Sequence, residues 1–222
     1  MQKPEEIFPN IFKIAGRLAT KNLTPGKRVY GEKLMQIGKT EYREWDIYKS
    51  KLAGAIKKGL KEMPIKKDST VLYLGASTGT TASHVSDIVE DGGVFAVEFA
   101  QRSMRDLIRI CDQRENLLPI FADARQPQEY AKYLEGTKAD VLYQDVAQPD
   151  QAQILIKNAN AYLKKGGHAL FCVKSQSIDV TLPPRVVYEA TIKELERAGF
   201  TTLQTLELDP YDKDHLFWHG KK

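Results

Sequence analysis

Two rhythms of apolar residues divide the chain. Up to about residue 47 they come in short bursts, Ile11–Ala15, Arg28–Tyr30 and Leu34–Ile37, separated by turn formers such as Thr24-Pro25-Gly26. This predicts a small β-rich N-terminal domain over residues 1–47. Tyr48–Leu60 then has helical spacing. Leu52, Ala55, Ile56 and Leu60 share one face, and the lysines at 49, 51, 57 and 58 lie mostly off it.

From Lys67 onward the periods alternate. Val71–Leu74 is a continuous apolar run, as in a strand covered on both faces. A helix through His84, Val85, Ile88 and Val89 follows, and Asp91-Gly92-Gly93 turns the chain into a strand at Val94–Phe99. Ser103 is expected to cap a helix bearing Leu107, Ile108 and Cys111. Further strands are predicted at Leu117–Phe121, Ala139–Val146 and Ala169–Val173. A helix over Asp150–Lys165 should stop at Gly166-Gly167, and another should start at Pro183-Pro184 with Tyr188, Ile192 and Leu195 on one face. The last two strands, Thr201–Leu208 and Leu216–His219, have no room for a helix between them and should pair antiparallel. Residues 48–222 therefore read as an α/β domain with a doubly wound, seven-stranded, mostly parallel sheet. Its closing antiparallel hairpin is how Rossmann-like methyltransferases end.

Composition narrows this only modestly. The chain has 222 residues, 42% of them hydrophobic and 28% charged, with a net charge of +4. That balance fits a packed domain and permits a nucleic-acid partner without requiring one. Two cysteines, Cys111 and Cys172, are too few for a disulfide framework or a self-contained zinc site, and no metal site is expected. No apolar stretch approaches the roughly 18 residues of a membrane span. The opening residues carry acids and a proline rather than an apolar run, so the expectation is a cytoplasmic protein.

The chemistry starts at the first strand–helix turn. Gly75 and Gly79 bracket it, in the pattern Tyr73-x-Gly75-x-Ser77-x-Gly79. This is not the dinucleotide fingerprint. It is a variant of the methyltransferase pattern acid-x-G-x-G-x-G, with Tyr for the acid and Ser for the middle glycine. Ligands of such sheets sit at the carboxyl ends of the strands. Glu98 ends the second strand there, and its two oxygens suit a vicinal ribose diol. Asp123, past the third strand, suits an adenine amino group. Together these point to a nucleoside ligand.

Longer blocks are more specific. RVYGE (28–32), EYREWD (41–46), SKLAGAI (50–56), VLYLGASTGTTASHVSDIV (71–89), VFAVEFA (94–100), DAR (123–125), DVAQPDQ (145–151) and DPYDKDH (209–215) occur in fixed order. In these blocks the chain resembles fibrillarin, in the archaeal form that lacks an arginine- and glycine-rich extension. The resemblance implies an S-adenosylmethionine-dependent RNA 2′-O-methyltransferase. It would act in box C/D ribonucleoprotein particles with a guide RNA, a Nop-type scaffold protein and a kink-turn-binding ribosomal-like protein, on ribosomal and possibly transfer RNA. Cofactor contacts are implied at Tyr73, Gly75, Gly79, Thr80, Thr81, Glu98, Phe99, Asp123, Ala124, Asp145, Val146, Ala147 and Gln148. A catalytic Lys-Asp-Lys-His set is implied at Lys51, Asp145, Lys174 and His215. Lys174 is expected to accept a proton or stabilise an oxyanion, with Asp145 orienting it, and burial near other cations to depress a lysine pKa. GASTGTT replaces the family's usual GAASGTT, and Gln176 stands at a usual Arg or Asn position. A nicotinamide-dependent oxidoreductase and a non-catalytic particle component are the competing classes. The absence of G-x-G-x-x-G argues against the first, and the presence of all four catalytic candidates against the second.

Overall fold

The computed structural model describes residues 3–222. Five short strands, β1 (Glu5–Phe8), β2 (Ile11–Ile14), β3 (Arg17–Lys21), β4 (Leu34–Ile37) and β5 (Thr40–Glu44), form an antiparallel sheet in the order β1-β2-β3-β5-β4. The strand expected at Arg28–Tyr30 is absent. The main-chain N–H groups of Val29 and Tyr30 donate instead to the Glu32 carboxylate at 2.9–3.1 Å. A side-chain acceptor has captured donors that a ladder would need.

The helix after this sheet, α1 (Lys51–Lys57), is shorter than the periodicity suggests. Ser50 caps it, and Gly59, at φ 93°, breaks it. Seven strands then form the main sheet: β6 (Thr70–Leu74), β7 (Gly93–Glu98), β8 (Leu117–Phe121), β9 (Ala139–Gln144), β10 (Leu163–Lys174), β11 (Thr201–Glu207) and β12 (His215–Lys221). Their order is β11-β12-β10-β9-β6-β7-β8. Pairings are parallel except those of β12, which lies antiparallel between β10 and β11. The crossovers carry α2 (Thr80–Ile88), α3 (Gln101–Cys111), a short α4 (Ala131–Leu134), α5 (Gln151–Tyr162), a one-turn α6 (Ser175–Ile178) and α7 (Pro184–Arg197).

The continuous apolar runs are explained by two cores. Val71, Tyr73, Val141, Tyr143, Leu170 and Cys172 face the core shared with α1, α2 and the N-terminal strands. Leu72, Leu74, Leu142, Ala169, Phe171 and Val173 face the other, with α5 and α7. Successive residues of a strand alternate faces, so a strand covered on both sides is apolar throughout. Truncating Leu72, which is fully buried, to Ala would cost about 2–5 kcal/mol.

Two expected boundaries are corrected. Helix α5 ends at Tyr162, and Gly166-Gly167 lie inside β10, where the pairing with β9 shifts register between Leu163 and His168. A Cβ on Gly167 would come 2.8 Å from Leu163 Cδ1, so these glycines serve a strand irregularity rather than a helix stop. Ser103 does not cap α3. The helix starts at Gln101, and Glu98 accepts the Ala100 N–H at 2.7 Å.

The two sheets are joined through a buried charge knot. Arg43 pairs with Glu32 at 2.5 Å and Asp87 at 2.8 Å, and Arg114 meets the other Asp87 oxygen at 2.7 Å. His84 lies between Thr20 and Tyr30 at 2.8 Å each and stacks on Trp45. Burial, with the charges of Arg43 and Arg114, holds its imidazole well below the usual range and therefore neutral.

Candidate functional site

The parallel strands β6, β7, β8, β9 and β10 deliver their carboxyl ends to one edge of the main sheet. A cavity of about 220 Å³ opens there, lined by Gly75, Ser77, Val97, Glu98, Phe99, Ser103, Asp123, Ala124, Asp145, Val146, Ala147, Gln148, Ile154 and Lys174. Gly75, at φ 80°, donates its N–H to Val97 O at 2.9 Å. A Cβ there would meet the Asp145 carbonyl oxygen at 2.9 Å. The position demands glycine twice, for conformation and for space.

Glu98 is buried and built into the turn. One oxygen accepts the Ser77 N–H at 2.8 Å and the other that of Ala100 at 2.7 Å. Each oxygen keeps acceptor capacity toward the cavity. Ser77, at φ 51°, is held in a left-handed turn by that bond. Asp123 is gripped by Arg125 at 2.6 Å; this hydrogen bond lowers its carboxyl pKa. Val97, Phe99, Ala124, Val146 and Ile154 supply apolar walls, and Phe99 is 55% exposed, a loose flap at the mouth.

Four implied cofactor contacts do not line this cavity. Tyr73 is buried in β6 with its ring centroid 4.4 Å from that of Tyr143, because its strand register points it into the core. Gly79, at φ 90°, lets α2 touch α3: a Cβ would collide with Ile110 Cδ1 at 2.7 Å. Thr81 is buried and donates to Ser50 Oγ at 3.0 Å, and the Thr80 carbonyl accepts from Ser83. These residues shape the turn from behind.

Beside the cavity the four catalytic candidates come together as a chain of alternating charge. Lys174 Nζ donates to the Asp145 carbonyl at 2.9 Å and lies 2.8 Å from Asp145 Oδ1. Lys51 Nζ stands 3.3 Å from the same carboxylate. It also lies 3.3 Å from Asp212, a residue outside the expected set, and Asp212 in turn lies 2.9 Å from His215 Nδ1. The strand register makes this possible, since Lys174 of β10 pairs with His215 of β12. Asp145 Oδ1 is buried and, although ion-paired, makes no hydrogen bond of good geometry.

The charge state of Lys51 follows from its carboxylate neighbours. Burial pulls its pKa down, but the carboxylates of Asp145 and Asp212 outweigh burial and raise it above the ordinary value. Lys51 is a fixed positive charge. Burial likewise opposes ionisation of Asp212, but its hydrogen bond to His215 and the charge of Lys51 lower its carboxyl pKa. His215 Nδ1 faces the Lys213 carbonyl at 2.7 Å as well as Asp212. A carbonyl only accepts, so Nδ1 carries a proton, and in the neutral ring the lone pair is then on Nε2.

Gln151 is a second residue missed in sequence. Fully buried, it accepts the Lys174 N–H and donates to the Lys174 carbonyl, both at 3.0 Å, which fixes the end of β10. Asp212 sits one helical turn's spacing before His215 within the DPYDKDH block, the one local signal for it.

The family model described as Fibrillarin matches residues 2–222. A relative from Methanococcus voltae, named fibrillarin-like rRNA/tRNA 2′-O-methyltransferase, is 52% identical over 99% of this chain and 98% of its own length. This chain belongs to the fibrillarin family. Among solved structures, fibrillarin from Aeropyrum pernix with natively bound S-adenosyl-L-methionine superposes with a TM-score of 0.86 at 46% identity, covering 95% of this chain and 92% of that one. The chain of a fibrillarin/Nop5p complex gives 0.90 at 38% identity, over 97% and 99%. The two-sheet architecture and the antiparallel β12 are thus those of a fibrillarin fold.

Proposed function

We infer that this chain transfers a methyl group from S-adenosylmethionine to ribose 2′-hydroxyls of ribosomal RNA, and of transfer RNA, within guide-RNA-directed box C/D particles in the cytoplasm. The observation that carries the reading is the Lys174–Asp145 pair at the edge of a cavity fitted for a nucleoside. That cavity offers Glu98 oxygens to a diol, apolar walls to a flat base, and at Gly75 a main chain without a Cβ. Bound there, S-adenosylmethionine would supply an electrophilic methyl on its sulfonium.

The chain's own residues then do three things. Gly75, Glu98, Asp123 and the Asp145–Gln148 segment hold and orient, and orientation supplies much of the acceleration of an in-line displacement. Lys174, fixed by Asp145 and Gln151, presents its ammonium to the ribose oxygen as negative charge develops on it. His215 Nε2, its ring set by Asp212 and the Lys213 carbonyl, takes the ribose proton. Lys51 remains charged and keeps Asp212 ionised.

Basic residues are dispersed (Lys57, Lys58, Lys61, Lys66, Lys67, Arg102, Arg105, Arg109) and no aromatic-and-arginine RNA-reading motif accompanies them. Such a surface holds phosphates with little reading of sequence. That supports a division of labour in which a guide RNA selects the target while a Nop-family scaffold and a kink-turn-binding protein position the enzyme. The fibrillarin/Nop5p complex is consistent with the scaffold's part. Methyl incorporation into a guide-matched RNA by a reconstituted particle tests the reading. Incorporation must depend on the guide, and site-selective methylation by the isolated chain alone would contradict it.

A further inference from the structure

At the opposite end of β10 from Lys174, three side chains with metal-ligand chemistry converge that the methyl-transfer reading does not use. His168 and Leu170 of β10 lie on one face, as do His219 and Lys221 of β12, because Leu170 pairs with His219 and His168 with Lys221. The two histidines are therefore diagonal neighbours on that face. His168 Nδ1 and His219 Nε2 are 2.9 Å apart. The segment after α1 crosses the same face, anchored by Leu60, Met63 and Ile65, and it brings the exposed Glu62 to the pair. One ligand atom from each of Glu62, His168 and His219 falls within 4.8 Å of the others. This is the only such cluster among the described residues.

We propose that Glu62, His168 and His219 bind one divalent transition-metal ion of the zinc class. Two imidazoles and a carboxylate are a donor set suited to Zn²⁺ and its borderline neighbours rather than to Mg²⁺ or Ca²⁺, which prefer oxygen. A proton now bridges the two nitrogens. Replacing it by Zn²⁺ at ~2.0–2.1 Å from each, in tetrahedral geometry, requires the nitrogens to move apart to roughly 3.3 Å. Side-chain rotation supplies that, since His168 is only partly buried. Glu62 and His168 also line a polar recess of about 410 Å³, with Asp140 and Ser69. The ion would tie the C-terminal strand and the segment after α1 to β10, about 20 Å from Lys174 along the strand.

The experiment uses the full-length chain without a histidine tag, stripped of metal by a chelator and titrated with Zn²⁺ by calorimetry. One equivalent is expected to bind. Glu62→Gln changes an exposed side chain and preserves the fold, and it is expected to weaken binding by at least roughly tenfold. His168→Gln should weaken it further, and His215→Gln at the other end of the sheet should not change it. Saturating Zn²⁺ should raise the melting temperature of the parent chain by several degrees and that of the two weakened variants by less. Failure of the folded parent to bind Zn²⁺, or equal affinity in the parent and in Glu62→Gln and His168→Gln, overturns the proposal. So does loss of binding in His215→Gln with retention in His168→Gln.

Discussion

Two clusters of alternating charge behave differently. The Arg43–Glu32–Asp87–Arg114 knot between the sheets is fully buried, and each of its guanidinium groups is matched by carboxylate at 2.5–2.8 Å. The Lys174–Asp145–Lys51–Asp212–His215 chain is partly exposed, its lysine contacts reach 3.3 Å, and it leaves Asp145 Oδ1 without a good hydrogen bond and His215 Nε2 free. The first cluster is saturated and has nothing left to offer a substrate. The second keeps unspent donor and acceptor capacity where a reacting oxygen can reach it. Incomplete pairing in an accessible place marks the functional cluster, and the number of charges does not.

That contrast predicts that the two clusters fail in different observables. Arg43→Met leaves Asp87 and Glu32 short of their buried partner and should cost about 3–5 kcal/mol in urea denaturation, the largest effect foreseen. Lys174→Ala should lower single-turnover methylation in a reconstituted particle by roughly 10²–10³-fold, about 2.7–4 kcal/mol, while S-adenosylmethionine binding and the melting temperature stay close to the parent's. Near-normal turnover in that variant removes Lys174 from the mechanism. Asp212→Asn should slow methylation about tenfold, near 1.4 kcal/mol, by loosening the His215 ring. As a positioning effect it should also alter the acid limb of the rate–pH profile, which a merely structural role would leave in place.

The smallest effects are in pH. Burial opposes ionisation of Glu32, but the Tyr30 and Val29 amides and the Arg43 charge together lower its pKa. Its contribution to stability is therefore complete above the unfolded carboxylate value of about 4.3 and is lost as pH falls through the lower folded value. Glu32→Gln should flatten that acid limb in melting experiments. Lys51 has the opposite sign: its raised pKa gives stability that is complete below about 10.4 and lost only at higher pH. An alkaline fall in activity near pH 9 would then have to come from another group, and Lys51→Met should leave its midpoint in place.

The functional end of the sheet was largely legible along the chain, for a local reason. Gly75, Glu98, Asp123 and Asp145 each follow an apolar strand run, and in a parallel sheet all strand ends of one polarity share an edge. Tyr73, Gly79, Thr80 and Thr81 belong to the same turn motif but lie off the cavity wall, because a turn motif lists neighbours in sequence, whereas side chains alternate between the cavity and the core. Gly166-Gly167 was read as a helix stop because an irregular strand and a helix end draw on the same residue.

The sequence by itself determined the alternation of strands and helices, the glycine turn, and the residue types available at each strand end, since these depend on contacts within a few residues. Tertiary structure alone decided which distant groups meet. Inserting β12 between β10 and β11 sets Lys174 against His215 at one end of the strand pair and His168 diagonally to His219 at the other. No local pattern encodes Asp212 beside Lys51, or Glu62 beside two histidines. Those encounters follow from strand register and from packing the segment after α1 across a finished sheet, and both exist only once the chain has folded.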